Sequence, residues 1–501
     1  MTDILFGQSY FLRFDPKLYA AMQPYPPLGT LYAAAVMRQR GYDVALFDAM
    51  LSEGTHEWAN ALDQHTPRYA VIYEDNFNYL SKMSLLRMRE AAIQMIAQAK
   101  ARGCVVIVCG SDATDHPDVY LKAGAEVVII GEGDAALPEV VERHQASTEH
   151  KVQIASENAS LPMSIAGVAY LEGDRVVRTP PRPVISDLDS LPFPAWDLVD
   201  RDKYRAVWLE HHGYYSMNLV TTRGCPFHCN WCAKPIWGQR YNVRSAENVV
   251  AEMQWLKDNF QPDHIWFMDD IMGIQDRWIE RFADLLDAAD LRIPFKSLNR
   301  VDLLLRGRSI PALARAGAQI VWVGAESGSQ KILDAMEKGT KVEQIYKATR
   351  QLHAHGVKVA FFLQFGYPGE TREDIELTLK MVRDLMPDDI GISVSYPLPG
   401  TKFYDHVKHE LGARANWVDS ADLAMLYQGP FGTDFYRQLH TVVHKDYRSR
   451  KTAAELRTLM RNPAALRPAH LRQTAAMIYH RLTLPAARAQ LNRLAMVAKS
   501  Q

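Results

Sequence analysis

Cys225, Cys229 and Cys232 stand in one short segment, Thr221-Thr222-Arg223-Gly224-Cys225-Pro226-Phe227-His228-Cys229-Asn230-Trp231-Cys232, directly after a stretch with strand character. Thiolates are the ligands that iron–sulfur clusters use, and cysteines spaced x3 and x2 can wrap one loop round a compact cluster. Three thiolates leave one iron of a four-iron cube without a protein ligand, open to a substrate or cofactor. Zinc is the competing chemistry, but structural zinc closes with four ligands at paired Cys or Cys/His spacing. The chain's other cysteines, Cys104 and Cys109, lie over a hundred residues upstream, and His228 is ill placed to share a metal with its loop neighbours.

The elements that must position this loop follow from the hydrophobic pattern. Over 1–145, Val- and Ile-rich runs at 4–6, 44–47, 69–73, 105–109 and 127–130 alternate with helical periodicity, as at 31–40 and 82–101. That alternation predicts an α/β fold: a doubly wound parallel sheet with right-handed crossovers and ligands at its carboxyl edge. Residues 146–211 read as a linker, with a hairpin over 167–177 turning at Gly173-Asp174 and the proline-rich stretches Thr179–Pro183 and Leu191–Pro194. From 212 to 440 the alternation restarts. Strands are predicted at 217–222, 264–268, 295–298, 319–324, 357–365 and 390–396, with helices such as 246–259 and 372–385 between them. Six such units make a partial (β/α)6 barrel of TIM type, whose site lies at the carboxyl mouth of its strands. Residues 441–501 read as a helical extension.

Composition narrows the classes. A chain of 501 residues exceeds one compact core, and its 48% hydrophobic content is that of a globular protein. A formal net charge of −1 offers no global field for nucleic acid. Five cysteines in such a length make no disulfide framework, so a reducing compartment is expected. The amino terminus shows no signal peptide and no apolar run reaches membrane-spanning length, which places the protein in the cytoplasm. The tail from 445 to 501 carries twelve Lys or Arg against two acids. It reads as a solvated basic helix pair, with an anionic membrane or substrate surface as the minor alternative.

Cys-x3-Cys-x2-Cys, with aromatic Trp231 before the third cysteine and a strand before the loop, resembles the signature of the radical S-adenosylmethionine (SAM) superfamily over about residues 212–440. The resemblance implies a [4Fe–4S] cluster on Cys225, Cys229 and Cys232, with SAM chelating the fourth iron and cleaved by an electron from a donor such as flavodoxin or ferredoxin. It implies SAM contacts at strand ends: Trp231 in the loop, Asp269 and Asp270 after strand two, Ser297 and Arg300 after strand three, and Glu326 after strand four. Gly366, in Gly366-Tyr367-Pro368-Gly369, and Pro397, in Tyr396-Pro397-Leu398-Pro399-Gly400, follow strands five and six.

The first 145 residues resemble the Rossmann-like cobalamin-binding domain that precedes many radical SAM cores, in Pro26-Pro27-Leu28-Gly29-Thr30-Leu31-Tyr32, Arg40-Gly41-Tyr42-Asp43-Val44 and Gly131-Glu132-Gly133-Asp134. The resemblance implies cobalamin contacts at Ser111, Asp112, Thr114, Gly131, Glu132 and Gly133. The Asp-x-His-x-x-Gly motif that supplies a cobalt-ligating histidine is absent, and Asp112 stands where relatives often place a histidine. Base-off cobalamin without a protein ligand is therefore expected, with a degenerate domain as the alternative. The whole chain resembles the group that includes the anaerobic magnesium-protoporphyrin ester cyclase and the hopanoid-pathway radical enzymes. First among the expected reactions is cobalamin-dependent methyl transfer to an unactivated carbon of an organic substrate. A SAM-radical oxidoreductase or cyclase is second, and a non-catalytic corrinoid or iron–sulfur carrier is third.

Overall fold

Each short Val/Ile run becomes a strand, and the order of pairing decides what the strands can carry. The computed structural model describes residues 2–78, 83, 85–153, 165–461 and 468–497. The first sheet contains β1 (Ile4–Gly7), β2 (Val44–Phe47), β3 (Tyr69–Tyr73), β4 (Val105–Cys109), β5 (Val127–Ile129), β6 (Val168–Glu172) and β7 (Arg175–Arg178), in spatial order β2-β1-β3-β4-β5-β6-β7. β1 to β5 run parallel, whereas β6 and β7 are antiparallel additions. The predicted hairpin is thus present, and it extends this sheet.

Both faces of the sheet are covered. Trp58 and Leu62, from the helix Thr55–His65, and Met95 and Ile96, from the helix Leu86–Ala101, fill one face. Ala33, Ala34 and Met37, from the helix Leu28–Gln39, and Leu137, Val140 and Val141, from the helix Ala136–Gln153, fill the other. Burial on two sides explains why these strands lack polar alternation. The chain reverses direction across the sheet between β1 and β3, the position at which open α/β sheets open a ligand crevice.

The second sheet holds six parallel strands: β8 (Ser216–Leu219), β11 (His264–Phe267), β12 (Phe295–Asn299), β13 (Ala318–Glu326), β14 (Lys358–Phe365) and β15 (Asp389–Val394), adjacent in chain order. It curls into the predicted partial barrel. Helices Ala246–Asn259, Asp276–Ala288, Val342–Ala354 and Arg372–Leu385 coat its outer face, where Phe267, Phe282 and Phe295 meet edge to face. A two-stranded ribbon of β9 (Thr222–Arg223) and β10 (Asn242–Val243) brackets the cysteine loop.

The tail forms two long helices, Thr433–Arg461 and Pro468–Val497. Leu439, Val442, Val443, Leu484 and Leu491 join them to the barrel's core, and the Tyr447 hydroxyl donates to the Pro387 carbonyl at 2.8 Å. The first helix starts at Thr433, ahead of the expected boundary, because Phe435, Tyr436 and Leu439 already belong to the buried face. Residues 154–164 of the expected linker, Lys82 and Ser84 of the expected 82–101 helix, and 462–467 and 498–501 of the expected tail lie outside the described residues.

Candidate functional site

The cysteine loop is fastened at its start, middle and end. Asp269, just past β11, is buried. It accepts the backbone N–H groups of Thr221 and Thr222 at 2.7 and 2.9 Å and the Thr221 hydroxyl at 2.6 Å. Burial raises the Asp269 carboxyl to about 6 despite those donors. Gly224 then turns the chain with φ +82°, where an added Cβ would sit 2.5 Å from the Arg240 carbonyl. Further on, the Asn230 side-chain amide donates to the Ala335 carbonyl at 2.8 Å and accepts from the Tyr367 hydroxyl at 2.9 Å. Phe403 N donates to the Asn230 carbonyl at 2.9 Å. The loop is thereby tied to segments that follow β13, β14 and β15.

Cys225, Cys229 and Cys232 are free thiols on this loop. Burial pushes Cys225 upward and Cys232 to about 12, and the Cys229 thiolate adds to both shifts. Buried thiols whose thiolates repel one another need cations. Lys234 and Arg300 supply them: the Arg300 Nη1 lies 3.8 Å from the Cys229 sulfur, and its guanidinium carbon lies 3.7 Å from the Phe227 ring centroid. Among the described residues, no three His, Cys, Asp or Glu side chains converge on one metal ion. Three thiols on one loop with a positive border are the ligand type that iron–sulfur clusters use.

The strand ends bring most of the other expected SAM residues to this mouth. Arg300 is buried, bonded to Asp302 at 3.0 Å and to the Lys338 carbonyl at 2.8 Å. Glu326 closes β13 with φ +55°, a left-handed conformation costing an L-residue about 1–2 kcal/mol. The register with β14 slips beside it, between Gly324 and Glu326. Its carboxylate pairs with Lys338 Nζ at 2.9 Å, and both side chains are under one-tenth exposed. Gly324 makes room for that pair, since a Cβ there would lie 2.5 Å from Lys338 Nζ. Lys338 also reaches the ring of Trp231, whose buried indole nitrogen has no hydrogen-bond partner among the described residues. Asp270 lies close enough to the cysteines to raise Cys225 and Cys232 further. Gly366 N donates to Glu370 at 2.7 Å, and Pro397 is buried beyond β15. Ser297 is turned away: its hydroxyl donates to Asn299 at 2.7 Å, on the outer side shared with Phe295. Asp269 is occupied with the loop, as described above. Lys338 and Gly324 escaped the sequence reading because their roles depend on the slipped register.

The carboxyl edge of the first sheet faces this loop. Ser111 and Thr114 follow β4, and Thr114 Oγ1 accepts from Gly131 N at 3.0 Å. Asp112 is clasped by Arg89 through two bonds of 2.6 Å and by the Tyr120 hydroxyl at 2.6 Å. Glu132 pairs with Arg223, two residues before Cys225, and accepts Ile185 N at 2.6 Å. Asp134 joins the same guanidinium at 2.9 Å. Gly133 is a packing glycine, since a Cβ would collide with Cys109 and Tyr73 at 2.7 Å. Of the six expected cobalamin residues, two acids are thus held by arginines, and Arg223 is a site residue that the sequence reading missed. Its only sequence signal is its place beside Gly224-Cys225. At the crevice beyond β1, Gln8 is buried and its side-chain nitrogen has no partner among the described residues. An orphaned donor there fits a polar ligand at the sheet's reversal point.

Comparison with known proteins agrees with this arrangement. The model of the radical SAM superfamily matches residues 219–382. An uncharacterized methyltransferase of Pyrococcus horikoshii is 26% identical over 78% of this chain and 81% of its own. The anaerobic magnesium-protoporphyrin IX monomethyl ester cyclase of Rubrivivax gelatinosus is 26% identical over 79% of this chain and 68% of its own. Among solved structures, the radical SAM methyltransferase TsrM from Kitasatospora setae, with tryptophan substrate and a SAM analog bound, superposes with a TM-score of 0.65. The alignment is 17% identical and covers 83% of this chain and 77% of that one. The apo cobalamin-dependent SAM radical enzyme OxsB gives a TM-score of 0.68 at 14% identity, covering 98% of this chain and 72% of that one. No helix among the described residues is long and apolar enough to cross a membrane.

Proposed function

Because this chain belongs to the radical SAM superfamily, and is an enzyme that uses a [4Fe–4S] cluster and SAM, we propose that it performs cobalamin-dependent methyl transfer to an unactivated carbon of an organic substrate. The observation that carries this reading is the Arg223 clamp. Glu132 and Asp134, on the carboxyl edge of the first sheet, grip the residue that leads into the cysteine loop. A corrinoid on the first sheet and SAM beside a cluster on the second would then share one space, as methyl transfer from SAM to the corrinoid would require.

Bound together, the cluster and SAM supply radical chemistry, and a corrinoid supplies a transferable methyl group. The chain's own residues orient and shield. Arg300, with two donors already fixed, is our choice for the SAM carboxylate, because a guanidinium matches a carboxylate in charge and shape. Glu326 suits the ribose hydroxyls as an acceptor, with Lys338 holding its carboxylate in place. Asp270 is preferred over Asp269 for the SAM amino group, since Asp269 is spent on Thr221 and Thr222. Trp231, Gly366 and Pro397 would wall the adenosyl moiety. Ser111, Thr114 and Gly131 are the corrinoid contacts we retain, joined by Gln8. Asp112 and Glu132 shape that site through Arg89 and Arg223. Ser297 contributes from behind, by fixing Asn299.

The reaction needs an electron donor and a substrate. A flavodoxin or ferredoxin is our choice for the donor. Free thiols reserved for iron suit a reducing compartment, and we place the protein in the cytoplasm. The boundaries proposed for its parts are 1–145, 146–211, 212–440 and 441–501, the hairpin in the second segment serving the first sheet. A cyclase reading is favoured by the resemblance to the magnesium-protoporphyrin enzyme. Product analysis separates the two. Methyl transfer yields S-adenosylhomocysteine that depends on added cobalamin, whereas cyclisation yields none. Turnover unaffected by cobalamin would overturn the methyl-transfer reading.

A further inference from the structure

The concave face of the second sheet has a composition that cluster and SAM binding do not explain. In-register pairing places Trp266, Lys296 and Ile320 side by side on that face. One step nearer the carboxyl ends lie Leu298 and Trp322, and one step further lie Gly324, Phe362 and Gly391. The opposite face, with Phe267 and Phe295, is the one packed on helices. A parallel sheet usually buries apolar side chains on both faces. Here Phe362 stays 40% exposed, with its ring 4.6 Å from that of Trp322. Gly391 leaves space for both rings: a Cβ there would approach each at 3.3 Å.

Lys296, Lys358 and Asp389 are the charged groups that the register places on this face, and Lys296 is the one set among the aromatic rings. Its ammonium nitrogen lies 3.9 Å from the Trp266 ring centroid and 5.4 Å from that of Tyr25, which reaches in from the amino-terminal part of the chain. It makes no hydrogen bond or ion pair with any described residue, and burial lowers its pKa to about 7 against the opposing effect of the Asp389 carboxylate. The Trp266 indole N–H beside it is buried and also lacks a partner among the described residues. An amine and an N–H left unsatisfied at one spot cost free energy unless an acceptor arrives from outside.

We propose that this face binds a planar aromatic substrate bearing a carboxylate: the ring lies against Trp322 and Phe362, and the anion meets Lys296 and the Trp266 N–H. Ring stacking supplies area and orientation. The charged hydrogen bond supplies discrimination against neutral analogues. The occupant is argued from complementarity: the face offers aromatic surface, a cation and a donor, and the Asp389 carboxylate, one row on at the edge strand, acts on that cation without bonding to it.

The proposal rests on the reading that this barrel is the seat of the reaction, and the test separates the two. Anaerobic titration calorimetry of the cluster-reconstituted full chain compares 2-naphthoate with neutral 2-naphthamide. The expected result is naphthoate bound about tenfold or more tightly, the worth of one charged hydrogen bond. Lys296→Met should abolish the preference and Lys296→Arg should restore it. Phe362→Leu should weaken both probes. Equal binding of the two probes, or a preference that survives Lys296→Met, overturns the proposal. Wild-type protein that holds iron and SAM yet shows equal binding sinks the anion site alone. Protein that holds neither iron nor SAM sinks the underlying reading.

Discussion

Arg223→Met removes the cation on which two buried acids depend. In the folded chain the guanidinium serves Glu132 and Asp134, and all three side chains are 4–5% exposed. Its plane also lies 5.2 Å from the Tyr32 ring and 5.6 Å from the Phe77 ring. After substitution Asp134 keeps, among the described residues, the Tyr73 hydroxyl at 3.3 Å, and Glu132 keeps Ile185 N at 2.6 Å. Breaking a buried pair from one side costs about 3–5 kcal/mol. Each acid retains one donor, so the lower end of that range is expected. Burial already holds the Glu132 carboxyl above its ordinary value, and losing the cation raises it further. A carboxyl with a raised folded pKa binds protons more tightly when folded. The penalty therefore shrinks as pH falls through that pKa and is full above it. Chemical denaturation of wild type and variant across pH 5–8 measures both effects. Neutralising the acids in the triple variant Arg223→Met, Glu132→Gln, Asp134→Asn should recover most of the loss, because an uncompensated charge is dearer than an absent pair. A single-variant cost below about 1 kcal/mol, the range of exposed pairs, would refute the reasoning. So would a triple variant no more stable than the single one.

Replacing Cys225, Cys229 and Cys232 together by alanine should eliminate the roughly four irons expected per reconstituted chain; a variant that keeps its iron and its visible absorption contradicts the cluster assignment. Arg300→Ala and Glu326→Ala should each weaken SAM binding by about 1–3 kcal/mol, measured by calorimetry on the reconstituted protein, and unchanged affinity in both removes them from the site. Glu370 has a carboxyl pushed by burial from 4.5 to about 8. Wild type should therefore lose stability as pH rises from 4.5 to about 8, at up to about 1.4 kcal/mol per pH unit, a slope missing from Glu370→Gln; parallel pH profiles would dispose of that shift. Cobalamin bound to the first sheet should give a cobalt(II) electron paramagnetic resonance spectrum without nitrogen superhyperfine splitting, and splitting from an axial nitrogen would contradict base-off binding with no histidine ligand.

Local signals in the sequence were faithful where local physics decides. The strands at 44–47, 69–73 and 105–109 have the predicted bounds, because a short continuous apolar run leaves little choice of ends. The helices Ala246–Asn259 and Arg372–Leu385 also begin and end as predicted. Ser245 caps the first, and Thr371 with Asp374 forms a capping box on the second. Pairings over long separations were not legible. Glu132 meets Arg223 across 91 residues, and nothing near either one advertises it. Glu326 was legible as a strand-end acid, whereas its Lys338 partner and left-handed backbone follow from a register slip. The hairpin was legible as a hairpin, but its attachment to β5 is set by the edge that β5 leaves open. Motif spacing thus singled out the cysteine loop, while the partners that hold it in place came from the fold.

One measurement bears on the central claim most directly. The full chain, reconstituted anaerobically with iron and sulfide, is supplied with SAM, cobalamin and a low-potential reductant, and its nucleoside products are separated by chromatography. The account predicts 5′-deoxyadenosine or S-adenosylhomocysteine from the wild type and neither from the triple cysteine-to-alanine variant. A cluster-loaded wild type that leaves SAM intact, or a variant that consumes it equally well, would contradict the account.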